Sequence, residues 1–312
     1  MINKSKIILI STAILIFTSV SAFAQTNRVY VADSGSDANL CTRAEQCRTI
    51  TKALSVVDDG GEVIITESGD YDNFIVTKSV TVAAEPGVDA EIATTAASAV
   101  VIGVWPGPPI GLVTLRNLNL KHITSNFSPQ GIVIYQSANL YVDGCTITGF
   151  VTGIADVKGG KLFVHESIFR NNSTGIQNLP DGILNTVIEN SQFENNTMGI
   201  WVDAKTYATI RNCVISGSSQ YGIYLVSNNR SARAEAVIDS CRLTGNKTAL
   251  FVSGSSNEGT ATARLSNSTI SQNTTSGVSI TTSGIVYSFQ NNVISGNLKD
   301  VDLNPLTPVS LK

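Results

Sequence analysis

Apolar residues recur in short alternating groups through most of the chain, and polar turn-forming residues separate the groups. In residues 187–202, VIENSQFENNTMGIWV, apolar and polar positions nearly alternate, and an Asn-Asn pair precedes Gly-Ile. A period of two residues is typical of a half-buried β-strand, and no copy of the pattern continues with a helical period. Similar stretches begin at Thr114, Leu140, Leu162, Ala208, Ala236, Ala263 and Tyr287. Their spacing of about 22 to 28 residues predicts a solenoid of stacked repeats.

Three apolar positions recur in the aligned repeats and define three columns. The first column contains Leu115, Val142, Val164, Ile188, Ile210, Ile238, Leu265 and Phe289. The second contains Leu120, Ile147, Phe169, Phe193, Ile215, Leu243, Ile270 and Ile294. The third contains Ile132, Ile154, Ile176, Ile200, Ile223, Leu250 and Val278. One repeat is too small to bury these side chains alone, so we expect each short strand to pair in parallel with the same strand one turn along.

Turn-forming residues occupy fixed positions between these columns. The position between the first two columns holds Asn117, Gly144, Glu166, Asn190, Asn212, Ser240, Asn267 and Asn291. Mostly Asn, with Gly and Ser, this position suits a bend with a left-handed backbone. Glycine opens the third strand of most repeats, which predicts another bend there: Gly131, Gly153, Gly175, Gly199, Gly222 and Gly277.

The Asn bend, the Ile/Phe column and the Asn-Asn and Gly-Ile pairs resemble the repeats of the right-handed parallel β-helix family, which includes pectate lyases. The resemblance covers residues 113–298. It implies an all-β, single-stranded right-handed parallel β-helix over residues 63–312, the pectin lyase fold. Residues 25–62 are similar to the opening of many such proteins, with a strand, a loop and a capping helix.

The apolar pattern itself supports the helix at this end of the chain. Ile50, Ala53, Leu54 and Val57 share one helical face, and Gly60-Gly61 would stop the helix. We expect it to cover the strand edges at the open end of the stack. The C-terminal segment LKDVDLNPLTPVSLK is expected to cap the other end.

Residues 1–24 have the pattern of a cleaved secretory signal. Lys4 and Lys6 precede an apolar run, and Ala22-Phe23-Ala24 is a small-x-small cleavage site. Cleavage after Ala24 would place the mature protein outside the cytoplasm, secreted or periplasmic. No later segment is long and apolar enough to predict a transmembrane helix.

Charge and cysteine content narrow the class of partner and the compartment. Loss of Lys4 and Lys6 with the signal changes the formal net charge from −3 to −5. The mature chain is thus mildly acidic and has no basic clusters, and both features argue against a nucleic-acid partner. Cys41 and Cys47 lie close together, and an oxidising compartment predicts a disulfide between them. Cys213 and Cys241 fall on adjacent turns, where a small-residue stack is favoured over a second disulfide. No His or further Cys shares that corner, so we predict no metal site there.

Two columns of outward-facing residues are candidate sites. On the first strand, Arg116, Asp143, His165, Glu189, Arg211 and Asp239 predict a ladder of exposed ion pairs, each worth less than about 1 kcal/mol. The alternative is a catalytic His165 between Asp143 and Glu189. On the third strand, Trp201, Tyr224 and Phe251 would stand exposed in a row, on which sugar rings can stack. The alternative is a loop folded over that row.

The resemblance to polysaccharide lyases implies further residues on the third-strand face. Lyases generally use calcium held by carboxylates, together with a base. Asp156, Asp203 and Lys205 are the candidates here, with Lys158 nearby. Asp156 and Asp203 would lie two turns apart, a distance of about 10 Å that is loose for this chemistry. No cofactor is therefore predicted, except calcium if the protein is a lyase.

Three functions remain open from the sequence. The first is a secreted or periplasmic β-helix that binds a polysaccharide, a cell-surface glycan or another surface partner through Trp201, Tyr224 and Phe251. The second is a polysaccharide lyase or hydrolase that uses Asp156, Asp203 and Lys205. The third is a passive surface protein, because one fold supports unrelated activities.

Overall fold

The protein is a parallel β-solenoid in which three strands per turn build three sheets. A computed structural model describes residues 27–104, 106–123, 128–136, 138–178, 181–227, 232–255, 259–281 and 283–310. The expected signal, residues 1–24, lies outside the described residues. Within them, the strands form one twelve-stranded and two ten-stranded sheets, and every strand pair is parallel.

The first sheet runs the full length of the stack. Its strands are β1 (Arg28–Val31), β2 (Gly61–Ile65), β5 (Val80–Ala84), β8 (Leu112–Arg116), β11 (Ala138–Asp143), β14 (Gly160–His165), β17 (Leu184–Glu189), β20 (Thr206–Arg211), β23 (Arg233–Asp239), β26 (Thr260–Ser266), β29 (Gly284–Phe289) and β32 (Thr307–Val309).

The second and third sheets supply the other two walls. The second sheet contains β3 (Gly69–Tyr71), β6 (Ala90–Thr94), β9 (Leu118–His122), β12 (Thr146–Thr148), β15 (Ile168–Arg170), β18 (Gln192–Glu194), β21 (Val214–Ser216), β24 (Arg242–Thr244), β27 (Thr269–Ser271) and β30 (Val293–Ile294). The third contains β4 (Phe74–Val76), β7 (Ser98–Ile102), β10 (Gln130–Ile134), β13 (Thr152–Asp156), β16 (Thr174–Asn178), β19 (Met198–Val202), β22 (Tyr221–Val226), β25 (Thr248–Ser253), β28 (Ser276–Thr281) and β31 (Lys299–Leu303).

The strand register confirms the three apolar columns, with one exception at the last turn. Residues of each column pair directly across neighbouring strands and are almost completely buried, from Leu115 to Leu265 in the first column. Phe289 is the exception, because Ser288 and not Phe289 pairs with Leu265. The core is therefore a narrow shaft of stacked Val, Ile, Leu and Phe side chains.

The bend between the first two columns is left-handed, as predicted, except at Asn291 in the last turn, which has no positive φ angle. Its φ angles lie between 46° and 62° at Asn117, Gly144, Glu166, Asn190, Asn212, Ser240 and Asn267. The glycines that open the third strand do not have positive φ angles, so a left-handed bend does not explain why glycine occurs there. A Cβ atom at Gly153 would lie 2.4 Å from the carbonyl oxygen of Gly175, so close approach between turns excludes a side chain there.

A buried asparagine ladder follows a second left-handed bend, after the strands of the second sheet. Asn172 is typical: its Oδ1 accepts a hydrogen bond from the Phe150 amide at 2.9 Å, and its Nδ2 donates to the Ile147 carbonyl at 3.0 Å. Asn196, Asn246, Asn273 and Asn297 repeat the donation to a carbonyl oxygen. Ser218 interrupts the series, and its buried Oγ has no hydrogen-bond partner among the described residues.

The N-terminal helix covers the first turn. α1 (Ile50–Val56) begins after Thr49, whose side chain accepts a hydrogen bond from the Lys52 amide, and it buries Ile50, Ala53 and Leu54 against β1, β2 and β4. Beside it, Cys41 and Cys47 form the predicted disulfide, with Cα atoms 4.7 Å apart. Cys145, Cys213 and Cys241 are free and buried.

The C-terminal segment does not fold over the other end of the stack as expected. Instead, β31 and β32 pair with β28 and β29 and prolong the third and first sheets. Leu298 and Leu303 remain 76% and 68% exposed there. The segment is thus a further partial turn. No helix in the described parts of the chain is long and apolar enough to cross a membrane.

Candidate functional site

The third sheet carries a row of aromatic side chains on its outer face. Trp201 on β19, Tyr224 on β22 and Phe251 on β25 pair directly across neighbouring strands. The Trp201 and Tyr224 rings meet edge to face at 5.4 Å, and the Tyr224 and Phe251 rings stack at 5.2 Å, with 13° between their planes. The sequence predicted this row, and the register places it on three successive turns.

Tyr221 joins the row and was missed in the sequence. Its ring centroid lies 4.8 Å from that of Tyr224 and 5.1 Å from that of Phe251. Strand alternation places residues two apart on one face, so a tyrosine three positions before Tyr224 gave no signal. The alternation is interrupted between the two tyrosines, because Gly222 and Ile223 are both buried while Tyr221 and Tyr224 are partly exposed. We call Trp201, Tyr221, Tyr224 and Phe251 the aromatic ladder.

The rings of the aromatic ladder are partly buried by one another and not fully exposed as expected. The indole Nε1 of Trp201 is buried and has no hydrogen-bond partner among the described residues. The connections at residues 228–231 and 256–258, from which a covering loop could come, lie outside the described residues. Burial raises the pKa of Tyr224, and the nearby charges of Tyr221 and Asp203 act in the same direction.

A groove of about 410 Å³ lies against the ladder at Tyr221 and Phe251. Polar side chains on its other walls include Gln220, Lys247, Thr248 and Asp302. Asp302 accepts a hydrogen bond from Lys299 Nζ at 2.9 Å, and this bond lowers the pKa of its carboxyl group. The groove therefore combines two aromatic faces with hydrogen-bonding groups, the arrangement that a sugar ring needs.

Asp156 does not lie on this outer face, and its predicted place there was wrong. It is in register with Ile134 and Asn178 and is only 1% exposed. Its Oδ1 accepts hydrogen bonds from the amides of Lys158 at 3.1 Å and Gly159 at 2.9 Å. Burial raises the pKa of this carboxyl group. Asp156 holds a turn and cannot reach a ligand.

Lys205 and Asp203 do not converge with Asp156. Lys205 Nζ donates to the carbonyl oxygen of Asp181 at 2.7 Å, and Lys158 Nζ donates to the Asp181 carboxylate at 2.6 Å. Asp203 Oδ1 accepts a hydrogen bond from the Ala204 amide at 2.6 Å. Among the described residues of this face, no three potential metal ligands come within reach of one another, so they do not fit a calcium site.

His165 lies on the first sheet, away from the aromatic ladder. Its Nδ1 is 3.0 Å from Asp143 Oδ1, and its Nε2 is 3.1 Å from the side-chain Nδ2 of Asn190. Glu189 pairs in register with His165 but forms its ion pair with Arg211, and Arg116 Nε is 3.0 Å from Asp143 Oδ2. The predicted ion pairs are therefore present from Arg116 to Arg211. The prediction was wrong for Asp239, whose carboxylate accepts hydrogen bonds from Ser266 Oγ and Asn267 Nδ2.

Comparisons with known proteins agree with this architecture. Residues 110–263 match the family model described as right handed beta helix region. A search of curated protein sequences finds no match to the chain.

Solved structures with this fold include proteins that act on or bind sugars. The pectate lyase Pel9A superimposes with a TM-score of 0.56 at 14% identity, over 89% of this chain and 78% of that one. The complex of XylC with xylose gives a TM-score of 0.54 at 11% identity, over 85% and 69% of the two chains. A mutant of the PL6 family alginate lyase AlyGC gives 0.54 at 14% identity, over 91% of this chain but 37% of that one. At these identities the similarity shows the fold alone.

Proposed function

Since the chain is a right-handed parallel β-helix repeat protein with the fold of the pectate lyase-like superfamily, we propose that it is a secreted or periplasmic protein that binds a polysaccharide through the aromatic ladder. The observation that carries the proposal is the unbroken contact of Trp201, Tyr224 and Phe251 over three turns. Strands in a sheet are about 4.8 Å apart, so this row presents a continuous apolar track along the stack.

The groove beside the ladder supports a carbohydrate and not a purely apolar ligand. Aromatic faces stack on the C–H groups of a sugar, and the surrounding polar groups satisfy its hydroxyls. Lys247 and Asp302 supply one positive and one negative charge at the groove. The names of the structural neighbours, a pectate lyase, a XylC–xylose complex and an alginate lyase, are in line with a glycan ligand.

The location outside the cytoplasm is supported by two independent features. The N-terminal residues have the pattern of a cleaved signal, and Cys41 and Cys47 form a disulfide, which persists in oxidising compartments. Intact mass of the exported protein tests this point, since cleavage after Ala24 leaves Gln25 as the first residue.

Binding is favoured over cleavage because the acidic candidates are engaged in other interactions. Asp156 is buried under its own turn, and Lys205 donates to a backbone carbonyl. A glycosidase needs two carboxylates facing across the bond, and a lyase needs a free base. Among the described residues beside the ladder, neither the pair of carboxylates nor the free base is in place.

Affinity gel electrophoresis of the mature chain tests the proposal, with pectate, xylan or alginate in the gel. The test variant is Trp201→Ala/Tyr224→Ala/Phe251→Ala. The matched control is Tyr141→Ala/Phe163→Ala. It removes two neighbouring aromatic rings, whose centroids are 5.2 Å from each other, from the outer face of the first sheet. Circular dichroism of each variant establishes that the stack is folded.

We expect one polysaccharide to retard the wild type and the control but not the triple variant. Full retardation of a folded triple variant would overturn the proposal. Loss of retardation in the control alone would move the binding site to the first sheet. Release of sugar from the same polysaccharides, with or without calcium, would indicate the lyase or hydrolase alternative instead, and wild-type migration unchanged by every polysaccharide would favour a passive surface protein.

A further inference from the structure

A second cluster of chemically active side chains lies on the first sheet, on a different face from the aromatic ladder. Asp143, His165 and Glu166 come from two adjacent turns, and each offers a ligand atom within 4.8 Å of the other two. His165 Nε2 and Glu166 Oε1 are 3.9 Å apart. We call these three residues the His165 cluster.

The hydrogen bond to Asp143 sets the tautomer of His165. An ionised carboxylate can only accept a hydrogen bond, so the Nδ1 atom, 3.0 Å from Asp143 Oδ1, carries the proton. The lone pair of the neutral ring is then on Nε2, which faces Glu166 and Asn190. A histidine that donates to a carboxylate through one nitrogen and offers the other to a metal is a recurrent arrangement in metal sites.

Glu166 departs from the repeat at a position where the backbone restricts residue choice. Its φ angle is 46°, and the same left-handed bend in the other turns holds Asn, Gly or Ser. A left-handed conformation is unfavourable for an ordinary residue and less so for Asn or Gly. The residue that carries this cost places its carboxylate beside the Nε2 lone pair, and its side chain is 65% exposed.

The surrounding charges leave Glu166 available to a cation. Arg116 is bound to the second oxygen of Asp143, and Arg211 is bound to Glu189. In the described part of the chain, no Lys or Arg forms an ion pair with Glu166. Asp143 therefore orients His165, and the two groups that face a cation are His165 Nε2 and the Glu166 carboxylate. The Nε2 atom accepts a hydrogen bond from Asn190 Nδ2 at 3.1 Å, so a cation enters only when the Asn190 amide group turns away.

We propose that the His165 cluster binds one divalent transition metal ion of the zinc type, through His165 Nε2 and the Glu166 carboxylate. Zn–N and Zn–O bonds of about 2.0–2.2 Å can span the 3.9 Å between these atoms with little side-chain movement. The amide oxygen of Asn190 supplies a third ligand if the amide group rotates, and water completes the site. An imidazole ligand favours zinc, copper or nickel over calcium or magnesium.

Isothermal titration of the untagged mature chain with zinc chloride tests this site, with cobalt chloride as a second probe. The sequence contains two histidines, so His122→Ala is the matched control for His165→Ala. His122 ends β9 on the second sheet, where its ring lies 5.7 Å from that of Phe150, and it takes no part in the cluster. We expect one saturable site in the wild type and in His122→Ala, and at least tenfold weaker binding in His165→Ala.

Two further variants separate metal binding from folding. Glu166→Asn restores the usual residue of the bend, so we expect a melting temperature at or above that of the wild type without metal, and at least tenfold weaker zinc binding. Asp143→Asn should weaken zinc binding about 10- to 100-fold through the orientation of His165. Absence of saturable zinc binding in the wild type, wild-type affinity in His165→Ala, or wild-type affinity in Glu166→Asn would each overturn the proposal.

Discussion

The rings of Phe169 and Phe193 lie one turn apart in the core, with centroids 4.8 Å apart and planes only 4° from parallel. The two residues pair directly across β15 and β18 and are both completely buried. Their contact displays the rule that builds the whole molecule, because like residues on successive turns meet at the strand spacing. The same rule aligns Trp201, Tyr224 and Phe251 on the outside.

Phe193→Ala should lower the free energy of unfolding by about 3–5 kcal/mol, because it leaves a cavity between two turns of the shaft. Urea denaturation followed by circular dichroism measures the loss. Val214→Ala is the control, because Val214 is 38% exposed on the next turn. It should change stability by no more than about 0.5 kcal/mol. Equal effects of the two changes would contradict the assignment of Phe193 to the core.

Ser218→Asn should raise the free energy of unfolding by about 0.5–1.5 kcal/mol for each hydrogen bond gained. The new amide would continue the ladder between Asn196 and Asn246, where the serine Oγ is now buried without a partner. The reverse change, Asn246→Ser, should destabilise the protein, since the Ile215 carbonyl loses its donor. Thermal denaturation of both variants checks the prediction, which a destabilised Ser218→Asn would contradict.

Cysteine reactivity should separate the disulfide from the buried thiols. Burial raises the pKa of the Cys145 thiol to about 12, and Cys213 and Cys241 are also buried. We expect no reaction of the native oxidised protein with a thiol reagent, three reactive thiols after denaturation and five after reduction. One reactive thiol after denaturation would show that Cys213 and Cys241 are bonded.

Asp156 should make the fold less stable as the pH rises. Its pKa is raised by burial, so the folded chain keeps this proton at pH values where the unfolded chain has lost it. The contribution of the protonated group to the free energy of unfolding is therefore lost as the pH rises from about 4 through the raised pKa.

Asp156→Asn does not titrate and keeps an oxygen for the amides of Lys158 and Gly159. Its stability relative to the wild type should therefore increase with pH over this range and then level off. Melting temperatures of both proteins between pH 4 and pH 8 measure the difference. A constant difference across the range would contradict a raised pKa at Asp156.

The sequence predicts the stack well because strand alternation and turn chemistry repeat in every turn. Its errors fall where that regularity breaks. At Phe289 the last turn is out of register by one residue, since Ser288 takes the column position. Tyr221 was missed because two consecutive buried residues, Gly222 and Ile223, interrupt the alternation. Asp156 was placed outside although its strand position faces inward.

The sequence singled out His165 and Asp143 but paired them with Glu189, and Glu166 shows why the cluster was not predicted as the structure has it. In the sequence it is one residue of a bend column, and its proximity to His165 Nε2 depends on side-chain direction at a left-handed backbone. Apolar columns fix which residues stack, but they do not fix which polar side chains outside the shaft converge. Sites on the outer faces therefore need the structure.

The fluorescence of Trp201 tests the proposed binding surface most directly. Trp105 and Trp201 are the two tryptophans of the sequence, so Trp105→Phe leaves Trp201 as the reporter. The titrant is an oligosaccharide of the polysaccharide that retards the protein in gels, and calorimetry measures its affinity separately. Binding at the aromatic ladder predicts a saturable change in Trp201 emission with the same dissociation constant. Saturation of the protein by the sugar with no change in this emission would contradict it.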